Sequence, residues 1–397
     1  MKTLRDFDLQ EKTVLVRCDF NVPLDEKGNI LDDFRIEKTL PTIKYLKEKK
    51  AKIILMSHLG RPEEAKDSRL REKQFSLRPV AIRLSELLKE EIKFLPGCIG
   101  KNIAKEVKKT KPGKVILLEN LRFYREETEG DLNFAKELAQ LADFYFNDAF
   151  AVCHRAHASV VGITKYLPSG AGSLLAREIK ILSKVLQEPW HPLVVIIGGV
   201  KIDTKIKTIE QFLKKADHLL LGGEISNIFL RAKGVCVGKP LPEKEVLDRI
   251  ERIQLTDSKL HLPIDSIISL ADMEKGIEEG YFRKAAPGLV RKDEEIYDLG
   301  PETIKVFSRI IREAKMILWN GPMGVYEKKP FEAGTREIAR AVIKNYPAFT
   351  IVGGGDTVSA VGKFGVLEKI DHVSTGGGAM LDFLSGEKLP GLEALKK

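Results

Sequence analysis

Short apolar runs alternate along the chain with longer segments in which apolar residues recur every three or four positions. In the first half, the runs predict strands at residues 14–17, 52–56, 114–118 and 144–147, and the periodic segments predict helices at 37–49, 77–90 and 133–141. In the second half, runs at 193–197, 218–221, 315–319 and 349–352 predict strands buried on both faces. The alternation predicts an α/β protein with two doubly wound, Rossmann-like parallel-sheet domains.

A continuous helical pattern joins the two halves. Leu, Ala and Ile recur at helical spacing through residues 171–188, and Pro189 ends the pattern. We predict a first domain at 1–170, an interdomain helix at 171–189 and a second domain at 190–378, with a C-terminal segment at 379–397 that packs back toward the first domain. A structured connection of this kind permits hinge motion without free tumbling.

The composition of the chain gives it a net positive charge. The 397 residues include 66 Lys plus Arg against 57 Asp plus Glu, a net charge of +9, and 43% are hydrophobic. The length suits two domain cores, and the hydrophobic fraction excludes wholesale disorder. The charge allows nucleic acid, an anionic membrane surface or phosphorylated small molecules as partners. Only 7% of residues are aromatic and the arginine motifs are scattered over loops, which argues against nucleic acid.

Cysteine usage and the N-terminus bear on the compartment. The four cysteines, Cys18, Cys98, Cys153 and Cys236, form no C-x-x-C pair, which argues against structural zinc and a disulfide framework. Residues 1–10 lack the apolar core of a signal peptide, and no segment of the sequence suits a membrane span. We therefore expect a cytoplasmic protein that does not bind membranes.

Four glycine clusters follow predicted strands of the second half, at 198–199, 222–223, 353–355 and 376–378. Ligands of open parallel sheets bind beyond the carboxyl ends of strands, where glycine lets backbone N–H groups approach a phosphate. Tight turns between strand and helix are the plainer interpretation of any one cluster. Several clusters in one domain favour a nucleotide site.

Charged residues beside these glycines have two interpretations each. Asp356, just before a predicted helix that begins at Val358, either caps that helix or holds Mg²⁺. Lys201 and Lys205 are four residues apart, so on one helix they would share a face with an anion between them. The alternative is a solvated lysine pair.

Basic and polar residues follow the predicted strands of the first half. His58 and Arg61 follow one strand, Arg122 and Arg155 follow two others, and Arg35 lies in a further loop. Arginines on different loops can converge on one anion, although singly each is more often a surface charge. In the same half, Asp19 and Asn21 either orient arginines or bind a polar ligand, unless they only initiate a turn before Pro23.

A histidine metal site and a nicotinamide-binding site both fit this sequence poorly. His154 and His157 are three residues apart but lack acidic or cysteine partners at metal-ligand spacing. A nicotinamide-dependent oxidoreductase is the alternative enzyme class. Its dinucleotide fingerprint fails, because Gly170 and Gly172 are followed by Leu175 where a third glycine or alanine is required.

Taken in order, the motifs resemble those of the phosphoglycerate kinase family over nearly the whole chain. The first half carries DFNVPL at 19–24, DDFRI at 32–36, SHLGRP at 57–62, LENLRF at 118–123, NDAF at 147–150 and HRAHAS at 154–159. The second half carries GGVK at 198–201, WNGPMGVYE at 319–327, GGGDT at 353–357 and STGGG at 374–378. The resemblance implies transfer of a phosphoryl group from 1,3-bisphosphoglycerate to ADP, which gives 3-phosphoglycerate and ATP with Mg²⁺.

The same resemblance implies the site residues. The triose phosphate would be bound in the first domain by Asp19, Phe20, Asn21, Arg35, His58, Leu59, Gly60, Arg61, Arg122 and Arg155. The nucleotide would be bound in the second by Gly199, Lys201, Lys205, Asn320, Glu327, Gly353, Gly354, Gly355, Asp356 and Thr357, with Asp356 on the metal. Catalytic charge would come from Arg35, Lys201, Lys205 and the amides of Gly376 and Gly377. The expected enzyme is a monomer that closes about its hinge, with small-molecule partners only.

A few positions depart from the family's usual pattern. Val200, Thr204 and Glu224 replace residues that are commonly smaller or acidic, and Phe34 replaces a small or polar residue. The segment 151–153, Ala-Val-Cys, replaces a common Gly-Thr-Ala. These positions lie beside expected ligand positions, so they concern the adenine-pocket contacts and the KM values rather than the reaction.

Overall fold

The structure, a computed structural model, describes residues 1–64, 74–238, 244–253 and 255–396. The chain forms two compact units. Met1–Ile181 and Lys388–Lys397 make up the first unit, and Leu182–Glu387 makes up the second. Among these described residues, no helix is long and apolar enough to cross a membrane.

The first unit is built on a parallel sheet. In the described residues its six strands are β1 Thr13–Arg17, β2 Lys52–Met56, β3 Lys93–Leu95, β4 Val115–Leu118, β5 Phe144–Asn147 and β6 Ser169–Ala171, in the order β3-β4-β2-β1-β5-β6. The helices are Phe34–Glu48, Arg78–Leu88, Lys101–Lys109, Arg125–Glu129, Leu132–Ala139 and the C-terminal Pro390–Glu393. The central strands read as apolar runs because helices cover both faces of the sheet.

The core of the first unit follows the period of its elements. Val14 and Val16 of β1 alternate onto one face of the sheet, where they join Ile53 and Leu55 of β2 in one buried cluster. The helix Phe34–Glu48 adds Ile36, Ile43 and Leu46 to the same cluster. Residues two apart on the strands and three or four apart on the helix therefore face each other, and their packing fixes this helix against the sheet.

The second unit carries two sheets. Its strands are β7 Leu193–Ile197, β8 His218–Leu221, β9 Leu260–His261, β10 Ser266–Leu270, β11 Phe282–Ala285, β12 Glu294–Leu299, β13 Met316–Asn320, β14 Phe349–Gly353 and β15 His372–Ser374. A parallel sheet has the order β15-β14-β13-β7-β8-β9, and an antiparallel sheet has the order β11-β10-β12. The helices are Ile206–Lys215, Gly223–Ala232, Lys244–Glu251, Met273–Glu278, Pro301–Glu313, Ala333–Lys344, Gly355–Lys363 and Gly377–Leu384.

The two parallel sheets confirm the predicted fold class. All eight predicted strands are present, with ends that differ by at most one residue from the prediction. The prediction missed β3, β6, β9 and β15, which are only two or three residues long, and it missed the antiparallel sheet. Short edge strands carry too few apolar residues to produce a periodic signal, and β11 is exposed or half-buried along its length.

The predicted connecting helix is present as Ser173–Gln187, and the division between the units falls within it. Its first turn is held by Asp148, whose Oδ1 accepts hydrogen bonds from the N–H groups of Leu174 and Leu175 at 2.8 and 3.2 Å. A carboxylate at this position satisfies amides that have no partner within the helix.

The C-terminal boundary differs from the predicted 379–397. The helix Gly377–Leu384 belongs to the second unit, because its Met380 and Leu384 are fully buried there and Thr208 donates a hydrogen bond to the Leu381 carbonyl. Only Lys388–Lys397 groups with the first unit. Gly391 ties this segment down, since its N–H donates to the Cys153 carbonyl at 2.8 Å.

Candidate active site

The first unit gathers polar side chains where its strands end. Asp19 and Asn21 follow β1, His58 follows β2, and Arg122 follows β4. Because the strands are parallel, their carboxyl ends share one edge of the sheet. The topology therefore brings together residues that lie up to a hundred positions apart in sequence.

Asp19 and Arg35 form an ion pair at this edge. Asp19 is buried, whereas the Arg35 side chain keeps 29% of its surface exposed. Arg35 lies in the first turn of the helix Phe34–Glu48, and its burial lowers the pKa of the guanidinium while the charge of Glu178 opposes that shift. Of the three interpretations of Asp19, the ion pair matches the one in which it orients an arginine.

Gly60 is held between two polar side chains. Its N–H donates to Asn21 Oδ1 at 2.8 Å, and its carbonyl accepts from Arg122 Nη1 at 2.6 Å. The backbone of Gly60 has φ +60°, and a Cβ there would overlap the ring of Phe75. Glycine is therefore required at this position by the backbone and by close packing.

Asn120 ties the loops after β2 and β4 together. Its Oδ1 accepts from the N–H groups of Leu59 and Arg122 at 3.2 and 3.0 Å, and its Nδ2 donates to the Leu59 carbonyl at 2.8 Å. The Leu59 and Phe20 side chains are themselves core residues, 2% and 0% exposed. The N–H of Phe20 likewise donates to Ser57 Oγ at 2.8 Å, so the structure places these two predicted ligands in the packed interior.

The arginines of the first unit have different environments. Arg122 is 8% exposed, and its burial together with the charges of Arg155 and Arg17 lowers its pKa to about 10. Arg155 is exposed, and its Nε donates to His154 Nε2 at 3.2 Å. Arg61 is fully at the surface and pairs with Glu64 at 2.9 Å. The structure thus leaves Arg61 outside the cluster that Arg35, Arg122 and Arg155 form around His58.

His58 is the centre of that cluster. It is 4% exposed, and burial together with the charges of Arg17, Arg122, Arg35 and Arg155 holds its pKa well below its usual value. The sequence-based prediction missed Arg17, which is fully buried at the end of β1 with Nη2 3.3 Å from His58 Nδ1. The available signal was a charged residue that closes an otherwise apolar run, VLVR.

In the second unit, the glycine clusters divide into two kinds. At Gly198, Gly199, Gly222 and Gly223 every N–H donates to a backbone carbonyl, and a Cβ at any of them would meet neighbouring atoms at or inside contact distance. These two clusters serve close packing of loops. Gly199 lines the cavity described below, but its amide is already bonded to the Pro322 carbonyl at 2.8 Å.

In the other two clusters some glycines have open surroundings, although a Cβ at Gly353 or Gly354 would overlap Met380 or Asn320. A Cβ at Gly355, Gly377 or Gly378 would meet nothing within 4 Å among the described atoms. These glycines begin the helices Gly355–Lys363 and Gly377–Leu384, where first-turn N–H groups lack partners within the helix. Gly376 differs, because its N–H donates to Ser374 Oγ at 3.1 Å. Free amides at the first turn of a helix are the kind of group that binds anions in proteins.

Lys205 and Lys201 do not share a helix. The helix begins at Ile206, so Lys205 occupies the position before it and Lys201 lies in the preceding loop, exposed. Lys205 is 9% exposed and donates from Nζ to the Gly198 carbonyl. Burial lowers the pKa of Lys205 to about 8, although the charge of Asp356 opposes the shift. Desolvation therefore places Lys205 closer to neutrality than an ordinary lysine.

Asp356 lies in the first turn of the helix Gly355–Lys363, while Gly354 takes the capping position without a side-chain bond. The capping interpretation of Asp356 was therefore wrong. Neighbouring predicted ligands hold the loops instead, since Asn320 Nδ2 donates to the Gly353 carbonyl at 2.8 Å and Thr357 Oγ1 accepts from the Gly321 N–H at 2.6 Å. The Asp356 carboxylate is exposed beside them.

A cavity of about 500 Å³ lies beside these loops. It is lined by Val200, Glu224, Asn227, Tyr297, Met323, Glu327 and Asp356, among others. Burial and the charge of Glu295 raise the pKa of Glu224. The volume falls in the range of nucleotide-sized and drug-sized pockets, and Glu327 and Asp356 place carboxylates in its lining.

The family model described as phosphoglycerate kinase matches residues 4–387. The chain belongs to the phosphoglycerate kinase family. Phosphoglycerate kinase from Borrelia garinii subsp. bavariensis is 46% identical over 100% of both chains, and that from Pseudothermotoga lettingae is 44% identical over 99% of this chain and 98% of its own.

Solved structures agree with this assignment. The phosphoglycerate kinase of Coxiella burnetii superposes with a TM-score of 0.84 at 39% identity, over 100% of this chain and 98% of its own. That of Pyrococcus horikoshii OT3 gives 0.85 at 33% identity, over the same shares. The predicted family is confirmed, and with it the glycolytic phosphotransferase reaction between 1,3-bisphosphoglycerate and ADP, which has a carboxyl group as acceptor.

Proposed function

We propose that the first unit binds the triose phosphate at the arginine cluster around His58. The observation that carries this proposal is the convergence of buried Arg122, half-buried Arg35 and exposed Arg155 on one imidazole. Like charges gathered in a partly desolvated site repel one another, so an anion with a phosphate and a carboxylate relieves that repulsion on binding. Asn21 and Asp19 orient the loop and Arg35.

The second unit is proposed to bind ADP or ATP. The open amides at Gly355, Gly377 and Gly378 suit phosphate oxygens, and the adjoining cavity of about 500 Å³ suits the nucleoside. Glu327 in the cavity lining provides an acceptor for ribose hydroxyls. Lys205 is almost fully buried beside the same loops, where a phosphate would favour its charged form.

Mg²⁺ is proposed to accompany the nucleotide. Among the described residues no group of three or more His, Cys, Asp or Glu side chains could hold a metal. Magnesium suits such a site, because it commonly takes one or two carboxylates and completes its shell with substrate phosphates and water. Asp356, exposed next to the open glycine amides, is the carboxylate in the right place. The ion would neutralise charge on the phosphate chain.

The residues present account for the catalysis. A metaphosphate-like transition state spreads charge over its equatorial oxygens, so positive groups and positioning accelerate the transfer. We assign this role to Arg35 and Lys205, with the first-turn amides at Gly377 and Gly378. A general base is unnecessary, because the acceptor in the ATP-consuming direction is an ionised carboxylate. Since the two ligands are held on different units, we propose hinge closure at the connecting helix.

We also propose an oligomeric state, a compartment and a class of partners. We propose a monomeric enzyme in which one chain supplies both sites. Cys18, Cys98, Cys153 and Cys236 are all free thiols, which supports a reducing, cytoplasmic compartment. We propose small phosphorylated molecules as its only substrates, without nucleic acid or membrane partners.

A coupled assay that forms ATP from 1,3-bisphosphoglycerate and ADP tests the assignment. We expect turnover that requires Mg²⁺ and disappears when the ion is chelated. Well-folded, Mg²⁺-supplied protein without activity would overturn the function. Affinity for NAD but not ATP would instead favour the oxidoreductase alternative.

A further inference from the structure

A buried ionic network lies beneath the proposed triose-phosphate site. Arg17 is fully buried, and its Nε donates to Ser159 Oγ at 2.9 Å while its Nη1 donates to the Cys18 carbonyl. Its Nη2 lies 3.3 Å from His58 Nδ1 and 3.9 Å from Glu127 Oε1. Each nitrogen of this guanidinium therefore has a protein neighbour, which makes Arg17 a fixed part of the fold.

Glu127 is the counter-ion of this network. It is fully buried, and it accepts from Ser159 N–H at 2.9 Å and from Ser159 Oγ at 2.6 Å, with His157 Nδ1 at 3.6 Å. Burial opposes its ionisation, but nearby His157, the charge of Arg17 and the hydrogen bonds from Ser159 together lower the pKa of Glu127. A charged carboxylate thus faces Arg17 at 3.9 Å and is also linked to it through the Ser159 hydroxyl.

The contact with His58 has only one possible direction. An arginine side chain has five N–H donors and no acceptor, and it stays protonated in proteins. A hydrogen bond from Arg17 Nη2 to His58 Nδ1 therefore requires a lone pair on Nδ1. The single proton of the neutral imidazole must then reside on Nε2.

We propose that Arg17, held by Glu127, is a positioning residue that fixes His58 as the neutral tautomer protonated on Nε2. His58 then offers one hydrogen-bond donor to an anionic oxygen of the triose phosphate and adds no charge to a site that already contains several. The proposal rests on the function proposed above, because that function supplies the anion.

The surroundings of His58 agree with a neutral ring. The charged groups that face it are Arg17 from β1, Arg35 from the helix Phe34–Glu48, Arg122 after β4 and Arg155 after β5, and all four are cations. A second proton on His58 would point an N–H of Nδ1 at a guanidinium. Binding of the triose phosphate is therefore uncoupled from histidine titration near neutral pH.

A purely structural role for Arg17, in which it only neutralises Glu127, makes different predictions. It requires no particular tautomer of His58. Long-range ¹H–¹⁵N spectra of histidine-labelled protein distinguish the two, with His58→Gln to assign the His58 signals. We expect Nδ1 without a proton and Nε2 with one over about pH 5.5 to 8. A protonated Nδ1, or a His58 that titrates in this range, overturns the proposal without any further variant.

The second experiment removes the network while avoiding an isolated buried charge. Arg17→Met with Glu127→Gln deletes both partners, which proteins tolerate better than the loss of one. We expect the pKa of His58 to move toward its ordinary value near 6.5. The KM for 3-phosphoglycerate should rise by about tenfold, a value typical of one misplaced hydrogen bond, and become pH-dependent, while the KM for ATP changes by less than about twofold.

Arg83→Lys is the matched control, since Arg83 pairs with Asp33 and Glu86 at the surface of the same unit. It should leave both KM values and the His58 spectrum unchanged. A double variant with the wild-type tautomer and a pH-independent KM overturns the positioning role. The spectra are recorded on free protein, so an inactive enzyme would refute the proposed function and leave the tautomer result standing.

Discussion

In the first unit, side chains carry the charge at the edge of the sheet, whereas in the second unit the peptide backbone does so. Arg35, Arg122 and Arg155 surround His58, while Gly355 and Gly378 leave first-turn amides open. Guanidinium groups orient a small ligand through directed pairs of bonds. Backbone amides suit a phosphate chain that approaches closely along its length. On the proposed function, the same sheet architecture would bind anions in two different ways.

The two sites also respond differently to pH. Burial and neighbouring cations lower the pKa of Arg122 only to about 10, so the arginine site stays charged throughout the neutral range. Burial lowers the pKa of Lys205 to about 8. Of the two proposed sites, the one in the second unit therefore has a charge that depends on its ligand and on the pH, because Lys205 can lose its proton.

The largest expected effect tests whether each unit contributes charge to the transition state. Arg35→Ala and Lys205→Ala should each lower kcat by about 10² or more, since each removes a positive contact to the transferred group. Steady-state kinetics in the coupled assay measure this. Arg83→Ala and Lys207→Ala, which remove surface partners of Asp33 and Glu387, are the matched controls. Near-normal kcat in both test variants would remove them from the mechanism.

The next effect compares a closely packed glycine, Gly321, with a glycine in open surroundings, Gly355. Gly321 has φ +95°, and a Cβ there would overlap the Gly198 carbonyl, so Gly321→Ala should lower the free energy of unfolding by about 2–4 kcal/mol. Gly355→Ala adds a methyl group in open space, so stability should change by less than about 0.5 kcal/mol while the KM for ATP rises several-fold. Urea denaturation and ATP titration of both variants measure the contrast. Equal losses of stability would contradict the division.

The fall of activity at alkaline pH tests the difference in charge between the arginine site and Lys205. Lys205 is cationic below its pKa of about 8 and loses its charge as the pH rises through that value. The kcat/KM for ATP, which reports on the free enzyme, should therefore fall above about pH 8. In Lys205→Arg, the residual kcat/KM should show no such limb, because arginine stays protonated. A limb that survives this substitution would belong to another group.

The smallest expected effect concerns a buried carboxylate that each unit places at a helix start. Burial raises the pKa of Asp148 to about 6 and that of Asp298 to about 7, although backbone amides oppose the shift at each. A carboxyl with a raised folded-state pKa stabilises the protein most at low pH, and this contribution is lost as the pH rises from about 4 through the folded value.

Asp298→Asn tests that carboxyl, because asparagine can still accept the bond that Gly334 N–H donates at 2.7 Å. The urea midpoint should then fall less between about pH 5 and 8 than in the parent protein. Asp293→Asn, at an exposed position just before β12, serves as the control. An unchanged pH dependence in Asp298→Asn would show that another group causes it.

Several parts of this molecule were predictable from local sequence. The long apolar runs predicted eight strands almost to the residue, and the motifs predicted the family. Three features were not predictable from local sequence. The helix after Lys205 begins later than the lysine spacing implied, Arg61 pairs with Glu64 instead of joining the cluster, and two glycine clusters use their amides internally. Each depends on what a loop meets after folding.

The sequence by itself determined the alternation of elements, the family and the residue types at the strand ends, because periodicity and motifs are properties of neighbouring positions. Tertiary structure alone decided which of those residues meet. Arg17 and Glu127 are 110 positions apart, yet both are buried within 4 Å of each other beneath His58. The direction of the hydrogen bond to His58 arises from that packing, since a guanidinium can only donate.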